Sequence, residues 1–290
     1  MLKLEDLARL AADHASHLQS TPREFELGGI RFGGQTPPQL MGVINLSADS
    51  WYRESVCLSA ETAVRRGRIL AAQGAAILDI GAESTLAHAA RVDEAAQQSK
   101  LLPVIRELAG EGLLVSVETY HPSVTRAAFE AGARVLNLTG TEQTDDLFRL
   151  VADFDGAVIL CHVQGANVRA VADFDFGQDS TAMLYDYFAP RVEQAVRCGV
   201  NRLWIDPGLG FYYRNLQDSA TRIRHQMRVF LNTFRLRSLG WPTCHALPHA
   251  FECFGDEVRS AEPFFAVLAA LGKTDLFRTH EVPRTRAVLD

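Results

Sequence analysis

Asn45, Asp79, Glu118, Asn137, Asp206, Arg278 and His280 share one place in the rhythm of this chain. Each stands at or near the end of a short apolar run. Ionised carboxylates accept hydrogen bonds and cannot donate them, while an amide side chain does both. Together they suit a ligand rich in N–H donors and ring acceptors. Arg278 with His280 suits an anion, because a guanidinium matches phosphate oxygens two at a time. Singly, each residue has a plainer reading, since Asp or Asn after a strand often only caps a helix or shapes a turn. Asp206, followed by Pro207 and Gly208, could be no more than that. Their recurrence at one end of many similar units is what points to a site.

The elements that must position them repeat. Apolar runs at 40–46, 76–80, 113–118, 134–138, 157–161, 202–206, 242–246 and 275–279 read as buried strands of about five to seven residues. Helical stretches follow at 59–73, 92–110, 122–131, 144–153, 181–199, 216–238 and 258–271, with a short tail from 282. Strands alternating with helices imply a parallel sheet covered by helices, and eight units are the count of a (β/α)8 TIM barrel. A doubly wound open sheet competes, but no Gly-rich dinucleotide fingerprint follows the first run. Residues 1–18 read as an amphipathic helix, and FELGGIRFGG as a hairpin turning at Gly28–Gly29. The expected organisation is an extension over 1–38 and a barrel over 39–290.

In such a barrel the active site lies at the C-terminal ends of the strands. All eight units then deliver polar groups to one rim: Asn45, Ser47, Asp49 and Ser50; Asp79, Glu83, Ser84 and Thr85; Glu118 and Thr119; Asn137 and Thr139; His162 and Gln164; Asp206; His245; and Arg278 with His280.

The 290 residues are 47% hydrophobic with a net charge of −6, enough for one large core and without the basic face expected of a nucleic-acid binder. Five irregularly spaced cysteines favour reduced thiols. No stretch reads as a signal peptide or membrane span, so a cytoplasmic protein is expected.

The motifs, in order, resemble the dihydropteroate synthase family. MGVINLSADSW is similar to that family's first-strand MGxxNxTPDSF, LDIGAEST to its DIGGEST, LCHVQG to its LMHMQG, IDPGLGF to its LDPGxGF and FRTHEV to its RVHDV. VSVETYHPSVTRAAFEAGARVLNLTG resembles its third and fourth units. The resemblance implies a pterin held in the barrel mouth, with Glu118, Asn137 and Asp206 on its pyrimidine edge. It implies a site for the leaving pyrophosphate at Asn45, Arg278 and His280, with Mg2+ near Asn45. It places Thr85 in the EST loop and Phe211 as a wall of the cleft. The implied reaction condenses 6-hydroxymethyl-dihydropterin pyrophosphate with an arylamine, p-aminobenzoate, in a homodimer joined through late barrel helices.

The departures cluster on the arylamine side. Tyr212 and Tyr213 stand where the family has Gly-Lys, Leu86 and Ala87 where its EST loop continues RPG, and CHALPHAFECFG where it has an SRK segment. Glu118 replaces an aspartate, extending the carboxylate by about one C–C bond, ~1.5 Å. Three readings follow. The chain condenses the pterin with p-aminobenzoate or a larger analogue, such as the ribosylated aminobenzene phosphate of methanopterin-type cofactor synthesis. Alternatively it is a non-catalytic pterin-binding homologue, or a methyltetrahydrofolate-dependent methyltransferase. Cys244, His245, His249 and Cys253 resemble a zinc set, but Pro248 interrupts any helix that would pair the histidines. His245 or His249 is expected instead to line the mouth near the pterin.

Overall fold

The computed structural model describes residues 2–50, 52–84, 91–168, 179–210 and 218–290. Eight parallel strands form the barrel: β3 (Gln39–Asn45), β4 (Ile77–Gly81), β5 (Val115–Thr119), β6 (Val135–Leu138), β7 (Ala157–Cys161), β8 (Leu203–Asp206), β9 (Cys244–Ala246) and β10 (Leu276–Thr279). They pair in the order β8-β7-β6-β5-β4-β3-β10-β9. A single bridge between Ile205 and Thr243 brings the two ends together, with the Ile205 N–H donating to the Pro242 carbonyl at 3.0 Å. These strands are apolar along their whole length because they are buried on both faces, inside against the barrel axis and outside against helices.

The two faces form separate cores. Inward side chains such as Met41, Ile77, Val135, Ala157, Trp204 and Leu276 fill the barrel. Outward ones, including Ile44, Leu78, Val117, Leu136 and Ile205, pack under the helical layer. That layer consists of α3 (Ala60–Ala72), α4 (Glu94–Gly110), α5 (Pro122–Glu130), α6 (Thr144–Asp153), α7 (Ser180–Arg197), α8 (Ser219–Asn232), α10 (Ala261–Leu271) and α11 (Val282–Leu289), with a short α9 (Phe251–Phe254) before α10. Side chains open several of them. Ser59 accepts from the Thr62 N–H, Asp93 from Ala96, Asp179 from Thr181 and Ala182, and Asp218 from Thr221. Each satisfies backbone donors that a helix start leaves unpaired.

At the N-terminus, α1 (Leu4–Asp13) and α2 (Ala15–Leu18) take the place of one continuous helix, with His14 between them. Strands β1 (Phe25–Leu27) and β2 (Ile30–Phe32) form the hairpin, turning on Gly28 and Gly29 at φ +60° and +77°. Two consecutive positive φ values are what a two-residue hairpin turn requires. The hairpin plugs the lower end of the barrel. Phe25 and Phe32 lie edge-on to Trp204, with ring centroids 4.8 and 4.9 Å away.

Two other helices differ from the pattern expected of the sequence. The stretch after residue 232 is a 3-10 turn, Thr233–Leu239, where the Thr233 hydroxyl donates to the Val229 carbonyl. Such back-bonding competes with regular helix. Before α10, Gly255 at φ +51° ends α9, and a 3-10 turn over Gly255–Ser260 follows.

Candidate active site at the barrel mouth

Register sets the depth of every inward residue. Asn45 lies opposite Gly81, Gly81 opposite Glu118, Glu118 opposite Asn137, and Cys161 opposite Asp206. Asn137 pairs in turn with Ile159, so Cys161 and Asp206 stand one inward residue higher than Glu118 and Asn137, and the two levels together make a stepped floor at the C-terminal end of the strands. A cavity opens above it, walled by Asn45, Glu118, Asn137, Asp206, Arg278 and His280, and by the loop from Leu247 to Ala250. The sequence pattern predicted this convergence, and the structure brings these six residues to one cavity together with Ser50, Glu83, Ser84 and Thr139 of the expected rim.

Asp79 sits two residues below the rim and is fully buried. It accepts from Ser116 Oγ at 2.7 Å, Asn137 Nδ2 at 3.1 Å and Arg278 Nε at 2.6 Å. Arg278 turns its Nη2 to Glu118 at 2.5 Å. The guanidinium therefore lies on the cavity floor between two carboxylates, and not out at an anion site. A planar fork between paired acids is the arrangement that offsets their burial. A pyrophosphate reaching this corner would compete with Asp79 and Glu118 for the same N–H groups.

Asp206 accepts from the Gly208 N–H at 2.8 Å, with Gly208 at φ +74°. The Asp-Pro-Gly turn thus orients the carboxylate and engages one oxygen, Oδ1. Burial pushes the Asp206 carboxyl up to about 6, against the opposing pull of the Gly208 N–H and Arg278. Burial raises Glu118 as well, with Arg278 opposing and Asp79 and Asp206 reinforcing the rise. Arg278 is held above its ordinary value: burial works against its charge, and Asp79 and Glu118 outweigh it. Three carboxylates around one guanidinium leave this floor rich in acceptors, which fits a neutral heterocycle presenting N–H groups.

Asn137 also accepts from Cys161 Sγ at 3.3 Å, so its amide is fixed from both sides. Burial raises the Cys161 thiol well above its usual range and keeps it neutral. Asn45 donates from Nδ2 to Ser55 Oγ at 2.6 Å, an arrangement that commits the amide nitrogen and offers the carbonyl oxygen as its hard donor. That oxygen suits Mg2+, which takes few protein oxygens and completes its shell with water and phosphate. His280 lies with His249 on one wall, their ring centroids 4.8 Å apart and both against the Tyr52 ring at 4.6 and 5.0 Å.

Three expectations are corrected by strand alternation. His245 points outward, where Nε2 meets Thr233 Oγ1 at 2.6 Å and the ring packs on Phe230. His162 is fully buried against Tyr187, with ring centroids 4.5 Å apart. Thr119 turns toward Gln97. Successive strand residues face opposite sides, so β7 presents Cys161, β9 presents Ala246 and β5 presents Glu118 to the mouth. Of the two histidines expected there, His249 lines the cavity. Thr85, Phe211, Tyr212 and Tyr213 lie outside the described residues.

Sequence reasoning missed Tyr52, Arg222, Gln226 and Glu262. Arg222 and Gln226, one turn apart on α8, reach the cavity wall. Arg222 pairs with Glu252 at 2.8 Å, and Gln226 donates to the Leu209 carbonyl. Glu262 had a signal: it is the single charge in the otherwise apolar AEPFFAVLAAL of α10.

An eight-stranded parallel barrel with its polar side chains gathered at the C-terminal mouth has the architecture of the (β/α)8 barrel enzymes. The family model described as "Pterin binding enzyme" matches residues 41–240, and the chain belongs to that family. Dihydropteroate synthase from Mycobacterium leprae is 36% identical over 178 residues, 60% of this chain and 63% of that one. Dihydropteroate synthase from Streptococcus pyogenes serotype M6 is 28% identical over 262 residues, 86% and 92% of the two chains. The structure of the Xanthomonas albilineans dihydropteroate synthase with 4-aminobenzoic acid superposes with a TM-score of 0.76 at 29% identity, covering 93% of this chain and 96% of that one. Among the described residues, no helix is long and apolar enough to cross a membrane.

Proposed function

We propose that this chain is a dihydropteroate synthase-like transferase that condenses 6-hydroxymethyl-dihydropterin pyrophosphate with an arylamine and releases pyrophosphate. The observation that carries this is the shared cavity floor of Glu118, Asn137 and Asp206 at the C-terminal strand ends, beside the Arg278 ion pairs. Glu118 and Asp206 accept from the ring N–H and exocyclic amine of the pterin, and Asn137 meets its mixed edge. Asn45 and His280 face the leaving pyrophosphate. Mg2+ on the Asn45 carbonyl oxygen would neutralise charge developing on that group. Leu247, Pro248 and Ala250 supply an apolar wall that excludes water from the electrophilic carbon.

The arylamine side favours an amine other than p-aminobenzoate. The chain has three lysines, Lys3, Lys100 and Lys273, and none lines the cavity. The ribosylated aminobenzene phosphate of methanopterin-type cofactor synthesis is the substrate we favour, with Arg222 on the wall as a candidate partner for its phosphate. The lysine pattern also favours a second reading, a pterin-binding homologue without catalysis. We further propose a homodimer, supported by an exposed apolar stripe of Phe264, Val267 and Leu271 along α10.

Purified protein given the pterin pyrophosphate and a panel of arylamines tests the reaction. Pyrophosphate release faster with the ribosylated amine than with p-aminobenzoate is expected. Tight pterin binding with no release for any amine would establish the non-catalytic reading instead. Methyl transfer from methyltetrahydrofolate would replace both.

A further inference from the structure

His249, Glu262 and His280 come from three separate elements: the loop after β9, the first turn of α10, and the residue following β10. One ligand atom from each lies within 4.8 Å of the others, and this is the only such group of His, Cys, Asp or Glu among the described residues. The two imidazoles both turn Nδ1 toward the same carboxylate oxygen. Oε1 of Glu262 is 2.7 Å from His280 Nδ1 and 3.4 Å from His249 Nδ1.

From this geometry we propose that His249 Nδ1, Glu262 Oε1 and His280 Nδ1 form a binding site for a divalent transition metal of the zinc class, open to the cavity.

Four observations carry it. First, the carboxylate is anchored before any ion arrives. Glu262 is fully buried, and its Oε2 accepts from the backbone N–H of His280 at 2.8 Å, that of Glu281 at 3.2 Å, and the Thr279 hydroxyl. That leaves Oε1 aimed at the two rings, as outer hydrogen bonds orient a metal-ligating carboxylate. Second, His249 Nδ1 is buried and has no hydrogen-bond partner although a carboxylate oxygen stands beside it. Ligands held about 2.0–2.1 Å from a tetrahedral ion are separated by roughly 3.4 Å. The His249–Glu262 spacing matches that edge and misses hydrogen-bond alignment. Third, the Tyr52 ring covers both imidazoles, and its hydroxyl is tied to Glu281, so the ring planes are held from behind. Fourth, His249 and His280 both line the cavity that Asn45 lines. Three protein ligands leave a tetrahedral ion a fourth position for water or substrate, as in a reactive zinc site, and the cavity that both rings line gives an ion its way in.

The shorter His280–Glu262 edge is a hydrogen bond without metal. It has to open by under about 1 Å, with loss of the shared proton, when an ion enters. Two imidazole nitrogens with one carboxylate oxygen select Zn2+ or Co2+ over Mg2+, which prefers oxygen throughout. An ion here would give the wall a net positive charge in a cavity that no lysine reaches.

Metal binding can be measured without any pterin, so its failure leaves the proposed reaction untouched. Protein stripped with a chelator is titrated with Zn2+ by calorimetry and with Co2+ by visible absorption. One ion per chain and the visible bands of a four-coordinate cobalt are expected. His249→Ala and Glu262→Gln should each weaken Zn2+ at least about tenfold, whereas His17→Ala on the N-terminal helices should not. Should the buried Glu262→Gln fail to fold, His249→Ala, on a loop, carries the test once its thermal melt is shown to be intact. No stoichiometric Zn2+, binding of Mg2+ alone, or affinity unchanged in His249→Ala would overturn the site and leave Glu262 as a hydrogen-bond clamp on His280.

Discussion

Asp206 does two things with one carboxylate: Oδ1 closes its own turn through the Gly208 N–H, and the group faces the cavity. Because burial raises it to about 6, it is partly protonated in weak acid and cannot then accept fully from a pterin N–H. Pterin affinity should rise as pH increases through about 6. Asp206→Asn should remove the rise near 6 and leave one near 7 from Glu118, whose carboxyl burial pushes up to about 7; it should weaken binding by about 1.5–3 kcal/mol, the worth of a hydrogen bond to a charged group, or roughly 10- to 150-fold. Fluorescence titration of a reduced pterin across pH 5–8 measures both; a rise near 6 that persists in the Asn variant would assign it to another group. The sign for stability is opposite. The unfolded chain releases this proton near the ordinary Asp value, ~4, and the folded chain near 6. Ligand-free protein therefore loses the contribution of Asp206 as pH rises through that window. Arg278 illustrates a different limit at this scale. Its type suggested anion binding, yet its Nε and Nη2 face Asp79 and Glu118, because carboxylates drawn out of water need a paired cation.

At the scale of elements, strand alternation decides which polar residue at a strand end is functional. His162 and His245 stand one residue out of phase with the mouth, and they pack against helices as buried groups whose pKa values burial lowers to about 3. The hairpin is the other instructive element. It is short, two-stranded and incapable of standing alone, but it closes the lower barrel by placing Phe25 and Phe32 on Trp204. Phe32 is 1% exposed, so Phe32→Ala should cost about 3–5 kcal/mol. Urea unfolding followed by Trp fluorescence would show it. A loss under about 1 kcal/mol would mean that the hairpin is only laid against the barrel. Pterin binding, at the opposite end of the strands, should survive in whatever fraction remains folded.

For the whole molecule, the distribution of apolar surface carries the remaining consequence. Helix α10 is apolar nearly all round, as expected of a helix buried on more than one side. In the single chain, however, Phe264, Val267 and Leu271 are 48%, 43% and 56% exposed. They recur at i, i+3 and i+7 and so form one stripe. If a second copy covers that stripe, Leu271→Glu should convert the dimer to a monomer at micromolar concentration by light scattering, with the far-UV spectrum unchanged. Wild-type protein that is already monomeric would remove the homodimer from the proposal.

The sequence by itself determined the architecture and the candidate floor. Eight apolar runs of strand length, separated by helical stretches, admit few solutions, since both faces of each strand must be buried. Strand-end residues such as Glu118, Asn137 and Asp206 were legible because a barrel collects all its C-terminal ends at one mouth. What the linear order could not reveal was partnership. Asp79 and Arg278 are 199 residues apart, and only closure of β3 onto β10 brings them within 2.6 Å. Alternation removed His162 and His245 from the rim, and a one-residue shift in strand ends would have exchanged them for their neighbours. Glu262 lay in a helix with no motif, yet tertiary packing puts it under both His249 and His280. Local patterns state which face a residue can occupy; only the closed barrel and its helical layer decide which charges meet across it.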